Sequence, residues 1–251
     1  MEKNAIPHHE SAQTAIMKSK IITLKADGYD NFMYIIANGG EAVVVDPAWN
    51  AELVKTVLAQ EYLTLTAILL THAHDDHTNA VSDLYSDDVS LFLSADEYPL
   101  WANCPVDAVL LQDGDEIFCG ADVIQMIATP GHTAGSCCFY VDNNLITGDT
   151  LFVYGCGRTD FPSGDSRALF ESLQKLKKLP PHTQILSGHD YGIEKNSTLS
   201  EQITYNPIMT ICSLDDFVRF REELAKKIIK IPYRSMDYSE VYCALTQPLL
   251  P

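Results

Sequence analysis

The apolar residues of this chain fall in short runs separated by polar and turn-forming residues, a pattern typical of proteins built around buried strands. The runs predict strands at ten places along the chain. They are Ile21–Leu24, Phe32–Ala37, Ala42–Val45, Ala67–Leu70, Val89–Leu93, Glu116–Phe118, Val123–Ala128, Cys137–Val141, Leu145–Thr147 and Gln184–Leu186.

Helical spacing of apolar residues interrupts this series of strands. Helices are predicted at Leu53–Leu58 and Asn79–Tyr85, and a third is predicted to begin after Asp165, whose side chain is suited to cap a helix N-terminus. A last helical pattern follows Asn206-Pro207. Because strands and helices mix without strict alternation, we expect a layered α/β fold with a short helical C-terminal extension.

The same patterns predict how the chain is organised. Residues 1–20 are mostly polar and charged and are expected to be a tail, residues 21–205 to form one domain, and residues 206–251 to form the helical extension. The seven cysteines are an odd number, and most lie in apolar segments. They are predicted to be reduced core thiols of a cytoplasmic protein.

Charge and hydropathy exclude two classes of partner. The chain carries 17 basic and 34 acidic residues, a formal charge of −17, and it has no basic stripe that would attract a phosphate backbone. Its apolar runs fall far short of the ~18 residues that a membrane span needs. The N-terminus also lacks the apolar core of a signal peptide. We therefore expect neither a nucleic-acid partner nor a membrane partner.

Metal-ligating residues follow the predicted strands at four points. His72, His74, Asp76 and His77 come after Ala67–Leu70, His132 after Val123–Ala128, Asp149 after Leu145–Thr147, and His189 after Gln184–Leu186. Strand ends at one edge of a sheet can converge in space, and rigid strands hold ligands accurately. Since chance placement of five histidines and two aspartates at such points is improbable, the sequence predicts a metal site.

The spacing within the first group indicates two cations. Residues two apart face the same side of an extended chain, so His72 and His74 can bind one cation, while Asp76 and His77 come after a turn and can bind a second. A carboxylate can bridge two metals, and Asp149 is the candidate for that position. Imidazole and carboxylate ligands suit zinc, iron and manganese.

This arrangement of histidines and aspartates resembles the signature of the metallo-β-lactamase fold superfamily. The resemblance extends from about Ile21 to Tyr191 and implies an αββα four-layer sandwich with a metal site on one edge. It rests on the string His72-x-His74-x-Asp76-His77 and on Gly131-His132, Gly148-Asp149 and Gly188-His189.

The family signature also implies a ligand set for each metal ion. His72, His74 and His132 would bind the first ion, Asp76, His77 and His189 the second, and Asp149 both. The best-known zinc β-lactamases have Arg in place of His77 and Cys in place of Asp149. Flavodiiron proteins have Glu in place of His74, and the nuclease branches act on polyanions, which the charge of −17 disfavours.

Two further stretches resemble glyoxalase II (hydroxyacylglutathione hydrolase) and its relative, the persulfide dioxygenase. They are Thr129–Ser136 and the run from Gly148 to Arg158. Both families act on glutathione adducts, so the resemblance implies a small-molecule, glutathione-linked substrate. By analogy, Arg158 and Tyr191 would orient the substrate; the alternatives are a structural ion pair for Arg158 and a packing role for Tyr191.

Three functions remain open at this stage. In the first, two divalent ions (Zn, Fe or Mn) hold a hydroxide that cleaves a thioester such as an S-acylglutathione, with Asp76 and Asp149 as catalytic residues. In the second, His72, His132 and Asp149 hold one iron for a dioxygenase acting on glutathione persulfide. The third is a non-catalytic binding protein, which the complete set of candidate ligands disfavours.

Overall fold

Two six-stranded β-sheets form the centre of the computed structural model. It describes residues 19–26, 28–102, 104, 106–226, 233–236 and 239–240. Nearly all of the predicted tail over 1–20, and much of the predicted extension over 206–251, therefore lie outside the described residues.

The first sheet has the strand order β1-β2-β3-β4-β5-β6, and β3 to β6 run parallel to one another. Its strands are β1 (Lys20–Lys25), β2 (Phe32–Asn38), β3 (Glu41–Val45), β4 (Thr64–Leu69), β5 (Ser90–Ser94) and β6 (Ala108–Leu111). The helices of this half are α1 (Ala51–Gln60), α2 (Asp75–Thr78) and α3 (Val81–Leu84).

The second sheet has the order β12-β11-β10-β9-β8-β7, with β10 and β11 parallel and the other pairs antiparallel. Its strands are β7 (Glu116–Cys119), β8 (Asp122–Ala128), β9 (Cys137–Val141), β10 (Asn144–Gly148), β11 (Gln184–Ser187) and β12 (Ser197–Thr198). The helices of this half are α4 (Ser166–Leu176), α5 (Leu199–Tyr205) and α6 (Leu214–Ala225).

Alternation of side chains along the strands produces four layers. In β2, Met33 and Ile35 pack toward α1 and α3, whereas Tyr34 and Ile36 pack toward the second sheet. In β9, Phe139 faces the first sheet and Cys138 faces α4 and α6. Successive residues of a strand point to opposite faces. The αββα sandwich that the sequence predicts is therefore confirmed.

The helices cover the outer faces for reasons visible in the sequence. The Asp165 carboxylate accepts the backbone N–H of Arg167 and Ala168 and so caps α4, as predicted. The buried residues of α4 include Leu169 and Leu173, which pack on the second sheet together with α6. Helix α6 lies within the predicted C-terminal extension.

Several elements differ from the prediction. The helix predicted at Asn79–Tyr85 is shorter, a single turn over α3, and a further single turn that was not predicted, α2, precedes it. Strands β6 and β12 and helix α5 were not predicted. No helix among the described residues is both long and apolar enough to cross a membrane.

The cysteines agree only in part with the prediction of core thiols. The six in the described part of the chain are free thiols, but Cys104 is half-buried and Cys212 is exposed. The seventh, Cys243, lies outside the described residues.

The strands place the candidate site residues at one edge of the sandwich. The carboxyl ends of β3 and β4 in the first sheet meet those of β8, β10 and β11 in the second. Two backbone hydrogen bonds join the sheets there, from Cys137 N to Thr71 O (2.9 Å) and from Phe32 N to Gly188 O (2.8 Å). The loops that follow these strands therefore face one another.

Candidate metal centre

All seven predicted metal ligands lie together at this edge. His72 and His74 follow β4 in extended backbone, while Asp76 and His77 lie in α2, where the chain turns as predicted. His132, Asp149 and His189 come from the loops after β8, β10 and β11. His72, His77, His132 and His189 are each at most 3% exposed.

One group of three ligand atoms comes from His72, His74 and His132, and these atoms lie within 4.8 Å of one another. His74 Nδ1 is 3.0 Å from His132 Nε2. The buried Nε2 atom of His72 has no hydrogen-bond partner. We call this group the first triad.

A second group comes from Asp76, His77 and His189 and satisfies the same distance limit. His77 Nε2 is 3.3 Å from His189 Nε2, and Asp76 Oδ2 is 3.5 Å from His189 Nε2. The amide of Asn31 donates to the Asp76 backbone carbonyl at 2.9 Å and holds this loop in place. We call this group the second triad.

Asp149 lies between the two triads and presents one oxygen to each. Its Oδ2 atom is 3.5 Å from His132 Nε2 of the first triad. Its Oδ1 atom is 3.3 Å from His77 Nε2 and 3.4 Å from His189 Nε2 of the second. This is the arrangement that a bridging carboxylate requires.

The hydrogen bonds around His77 and His189 show that the cluster fits metal ions. His77 Nδ1 is 3.0 Å from the Asp46 carboxylate and His189 Nδ1 is 2.9 Å from the Tyr29 carbonyl, and both oxygens can only accept. Each Nδ1 therefore carries the proton, and two lone pairs on Nε2 face each other at 3.3 Å. A cation between the two nitrogens, either a proton or a metal ion, relieves this repulsion. Ligands bonded at ~2.0–2.1 Å around a tetrahedral zinc are themselves roughly 3.3 Å apart.

The electrostatics of the cluster favour the metal-binding forms of Asp149 and His72. Burial raises the pKa of the Asp149 carboxyl, but His77 and His189 outweigh burial and hold that pKa well below its usual range. Burial and the neighbouring His77 lower the pKa of His72 well below its usual value. An ionised carboxylate and a neutral imidazole are the forms that bind metal.

His77 shows the opposite balance. Burial lowers its pKa, but the carboxylates of Asp149 and Asp46 outweigh burial and raise that pKa well above its usual value. The surroundings of His77 therefore favour a positive charge at this position.

Asp46, at the end of β3, is a supporting residue that sequence analysis missed. Its carboxylate is 2% exposed and accepts the backbone N–H and hydroxyl of Thr71, at 2.7 and 2.6 Å, besides the proton of His77. Although Asp46 also lies within ligand distance of His72 and His77, these donors occupy its oxygens, so it orients ligands rather than being one. The same signal, an apolar strand followed by an acid, was present in the sequence.

Glu97 is a second buried carboxylate that sequence analysis missed. It is 1% exposed and accepts the backbone N–H groups of Ala73 (2.8 Å) and Gly135 (3.0 Å) and the Thr133 hydroxyl (2.6 Å). It therefore ties the loop after β4 to the loop after β8.

Two of the glycines beside the ligands are required by close approach. Gly148 has φ +46, and a Cβ atom there would lie 2.2 Å from the Thr71 hydroxyl oxygen. A Cβ atom on Gly188 would lie 2.7 Å from Asp149 Oδ1. Only glycine lets these strand ends reach the cluster.

The cluster opens into a cavity of ≈ 630 Å³. Tyr29 and Trp49 form one wall, with ring centroids 5.5 Å apart, and Phe161 packs against the rings of His74 and His132. Trp49 is fixed, because its indole N–H donates to Asn31 at 3.0 Å. The cavity therefore has aromatic walls beside the metal-ligating residues.

Both predicted substrate residues line this cavity. Arg158 makes a two-point ion pair with Asp160, with both bonds at 2.8 Å, and its guanidinium lies 4.9 Å from the Phe161 ring centroid. Its carbonyl accepts the Nδ1 proton of His132 at 2.7 Å. The Tyr191 ring stacks on His189 with centroids 4.6 Å apart, and burial raises the pKa of its hydroxyl.

Known proteins resemble this chain over most of its length. BaeB of Bacillus velezensis, a probable polyketide biosynthesis zinc-dependent hydrolase, is 33% identical over 79% of this chain and 90% of that protein. A hydroxyacylglutathione hydrolase of Xanthomonas oryzae is 38% identical over 65% of this chain and 62% of that protein. The crystal structure of ETHE1 from Myxococcus xanthus matches with a TM-score of 0.75 at 28% identity, over 90% of this chain and 96% of that one.

A family model matches the part of the chain that builds the site. The match covers residues 26–189, which include both triads and Asp149. The chain belongs to the metallo-beta-lactamase superfamily.

Proposed function

We propose that the protein is a metal-dependent hydrolase of the glyoxalase II type that cleaves a thioester such as an S-acylglutathione. The observation that carries this proposal is the position of Asp149, whose two oxygens face two triads of metal-ligating atoms. A metal pair of this kind is typical of hydrolytic sites. The zinc-dependent hydrolase and the hydroxyacylglutathione hydrolase among the relatives support the same reaction class.

The ligand assignment follows from the triads. His72, His74 and His132 would hold the first divalent ion, Asp76, His77 and His189 the second, and Asp149 would bridge them. When bound, such ions supply Lewis acidity and lower the pKa of water toward ~7. Asp46 keeps the proton of His77 on Nδ1, and the Tyr29 carbonyl does the same for His189, so that both Nε2 atoms remain available.

The reaction requires little proton transfer from the protein. A water oxygen bonds to the thioester carbonyl carbon, the carbon–sulfur bond breaks, and a carboxylate and a thiol are released. The thiolate leaves readily because a thiol has a pKa of ~8.5. The Asp76 carboxylate is the more exposed of the two site aspartates, at 26% against 12%, and it takes up the proton of the attacking water.

Substrate binding is assigned to the cavity walls. Arg158 and Tyr191 orient the carrier of the acyl group, while Tyr29 and Trp49 pack against its apolar part. The relative named hydroxyacylglutathione hydrolase supports a glutathione-linked substrate.

The experiment that tests this function joins metal analysis with two parallel assays. Purified protein reconstituted with Zn²⁺, Fe²⁺ or Mn²⁺ is analysed for metal content and assayed with S-lactoylglutathione and with glutathione persulfide. We expect two ions per chain and release of thiol from the thioester. One iron per chain, with oxygen uptake on the persulfide and no hydrolysis, would contradict the proposal.

The persulfide dioxygenase is the second candidate, because Thr129–Ser136 and the run from Gly148 to Arg158 also resemble that family. The ETHE1 structure from Myxococcus xanthus matches over 96% of its length. Its single iron would use His72, His132 and Asp149 and would not need the second triad. Asp76→Ala separates the two functions. A two-metal hydrolase loses one of its ions and its hydrolytic activity, whereas a one-iron dioxygenase keeps its iron and its oxygenase activity. Asp83→Ala, an exposed carboxylate on α3, is the matched control.

A further inference from the structure

Arg221 is a buried cation that makes no ion pair among the described residues. It lies on the buried side of α6, next to Phe220, and is 8% exposed. Its Nη2 atom donates to the Gly157 carbonyl at 2.8 Å, whereas its buried Nε atom has no partner. A guanidinium stays charged at any ordinary pH, and burying an unpaired charge is costly. An anionic partner beside the Arg221 Nε atom would therefore be favourable.

A cavity of ≈ 400 Å³ provides room for that anion. Arg221 and Arg158 line it together with Asp160, Cys156 and Tyr233. Asp160 makes its ion pair with Arg158, and its charge also interacts with Arg221, so one carboxylate is shared by two arginines. In a chain with a net charge of −17, two arginines around one cavity represent a local excess of positive charge.

This cavity adjoins the metal-ligating cluster. Cys156, Arg158 and Tyr233 line both this cavity and the larger one that holds the cluster. The backbone between the two is anchored on both sides. Gly157 N donates to the Asp149 carbonyl at 2.8 Å, and Gly157 O accepts from Arg221. A molecule reacting at the cluster can therefore extend to Arg221.

We propose that this second cavity binds an anionic group, a carboxylate or a phosphate, at the carrier end of the thioester. The inference rests on the proposed hydrolase function and narrows its substrate class to thioesters of anionic carriers. The fork geometry of arginine suits both oxyanions. The Nη2 bond to Gly157 fixes the plane of the guanidinium before the substrate arrives.

The test compares three thioesters of one acyl group on the metal-loaded, full-length protein. The carriers are glutathione (carboxylates), 4′-phosphopantetheine (phosphate) and pantetheine (no anionic group), each with a lactoyl group. We expect kcat/KM for one anionic thioester to exceed that for the neutral one by about 10–100-fold, and the preferred carrier identifies the anion. In Arg221→Met this ratio falls to about 1, whereas the control Arg219→Met, an exposed residue of the same helix, keeps it.

A merely structural Arg221 gives a different result. If Arg221 only anchors Gly157, Arg221→Met lowers kcat/KM for all three thioesters equally and leaves the ratio unchanged, which would overturn the inference. An equal rate for all thioesters in the wild-type protein would overturn it as well. If Arg221→Met does not fold, Arg221→Lys is used instead, because it keeps the positive charge and removes the planar guanidinium that can bind an oxyanion at two points. This variant should reduce the ratio of kcat/KM values in part. An unreduced ratio would refute the anion subsite.

Failure of the hydrolase function can be recognised separately. If the wild-type protein hydrolyses none of the thioesters, calorimetry measures binding of S-methylglutathione and phosphopantetheine to the wild-type protein and to Arg221→Met. Binding weakened about 10–100-fold in the variant supports the anion subsite without the activity. Equal binding, or none to either protein, refutes the subsite.

Discussion

The two halves of the sandwich contribute to the site in different ways. The half built on the first sheet contributes His72, His74, Asp76 and His77 from one loop and its following turn. The half built on the second sheet contributes His132, Asp149 and His189 from three loops after three strands. The first contribution is local in sequence. The second forms only when β8, β10 and β11 are assembled in the same sheet.

This difference indicates that the site is a product of the docked sheets. Neither triad is complete within one half, because His132 completes the first and His189 the second. Glu97 and the Cys137–Thr71 hydrogen bond hold the halves together next to the ligands. Substitutions that act on one half, or on the contact between halves, should therefore have distinct effects.

Asp149→Ala should have the largest effect, because Asp149 is the residue of the second half that faces both triads. We expect activity to be abolished and metal content to fall, as measured by turnover and elemental analysis of the purified variant. A native thermal transition of the apo-protein is the control for folding. Unchanged turnover would show that the carboxylate does not bridge.

Glu97→Ala should break the contact between the halves. It leaves the backbone N–H groups of Ala73 and Gly135 without their acceptor and removes one of two partners of the Thr133 hydroxyl, which should reduce the free energy of unfolding by about 2–4 kcal/mol. Denaturant unfolding of the apo-protein measures this loss. A loss of metal affinity with no change in apo-protein stability would instead assign Glu97 to the site alone.

Asp46→Asn should act within the first half. The new amide would donate to His77 Nδ1, and the proton of His77 would move to Nε2, the atom that faces His189 and Asp149. We expect the affinity for the ion of the second triad, to which His77 belongs, to fall by about 10–100-fold. Competition with a chelator measures this affinity. Asp113→Asn, in a surface ion pair with Lys175, is the matched control. Equal affinity in both variants would count against the orienting role.

Arg158→Ala should have the smallest effect, since this side chain of the second half is 66% exposed. If Arg158 binds substrate, KM should rise about 5-fold with kcat little changed. Arg219→Ala, which removes an exposed arginine in a surface ion pair on α6, should leave KM unchanged. Reduced stability with normal KM in Arg158→Ala would favour the structural role.

The difference between the halves also explains what sequence analysis could predict. The His-x-His-x-Asp-His string is local, and the remaining ligands each follow an apolar run. The roles of Asp46 and Glu97 depend on Thr71, His77 and Thr133, which tertiary packing brings to them. Helix α5 had a visible signal, because Thr198 and Glu201 form a capping box. Strand β6 did not, since it is a short edge strand with two exposed apolar residues, Val109 and Leu110.

The central claim is that both triads bind metal on either side of Asp149. Anomalous diffraction at the metal absorption edge, from crystals of the reconstituted protein, tests it most directly. We predict two peaks, one among His72, His74 and His132 and one among Asp76, His77 and His189, each at ~2.0–2.2 Å from its ligand atoms. A single peak confined to the first triad at saturating metal would contradict the claim.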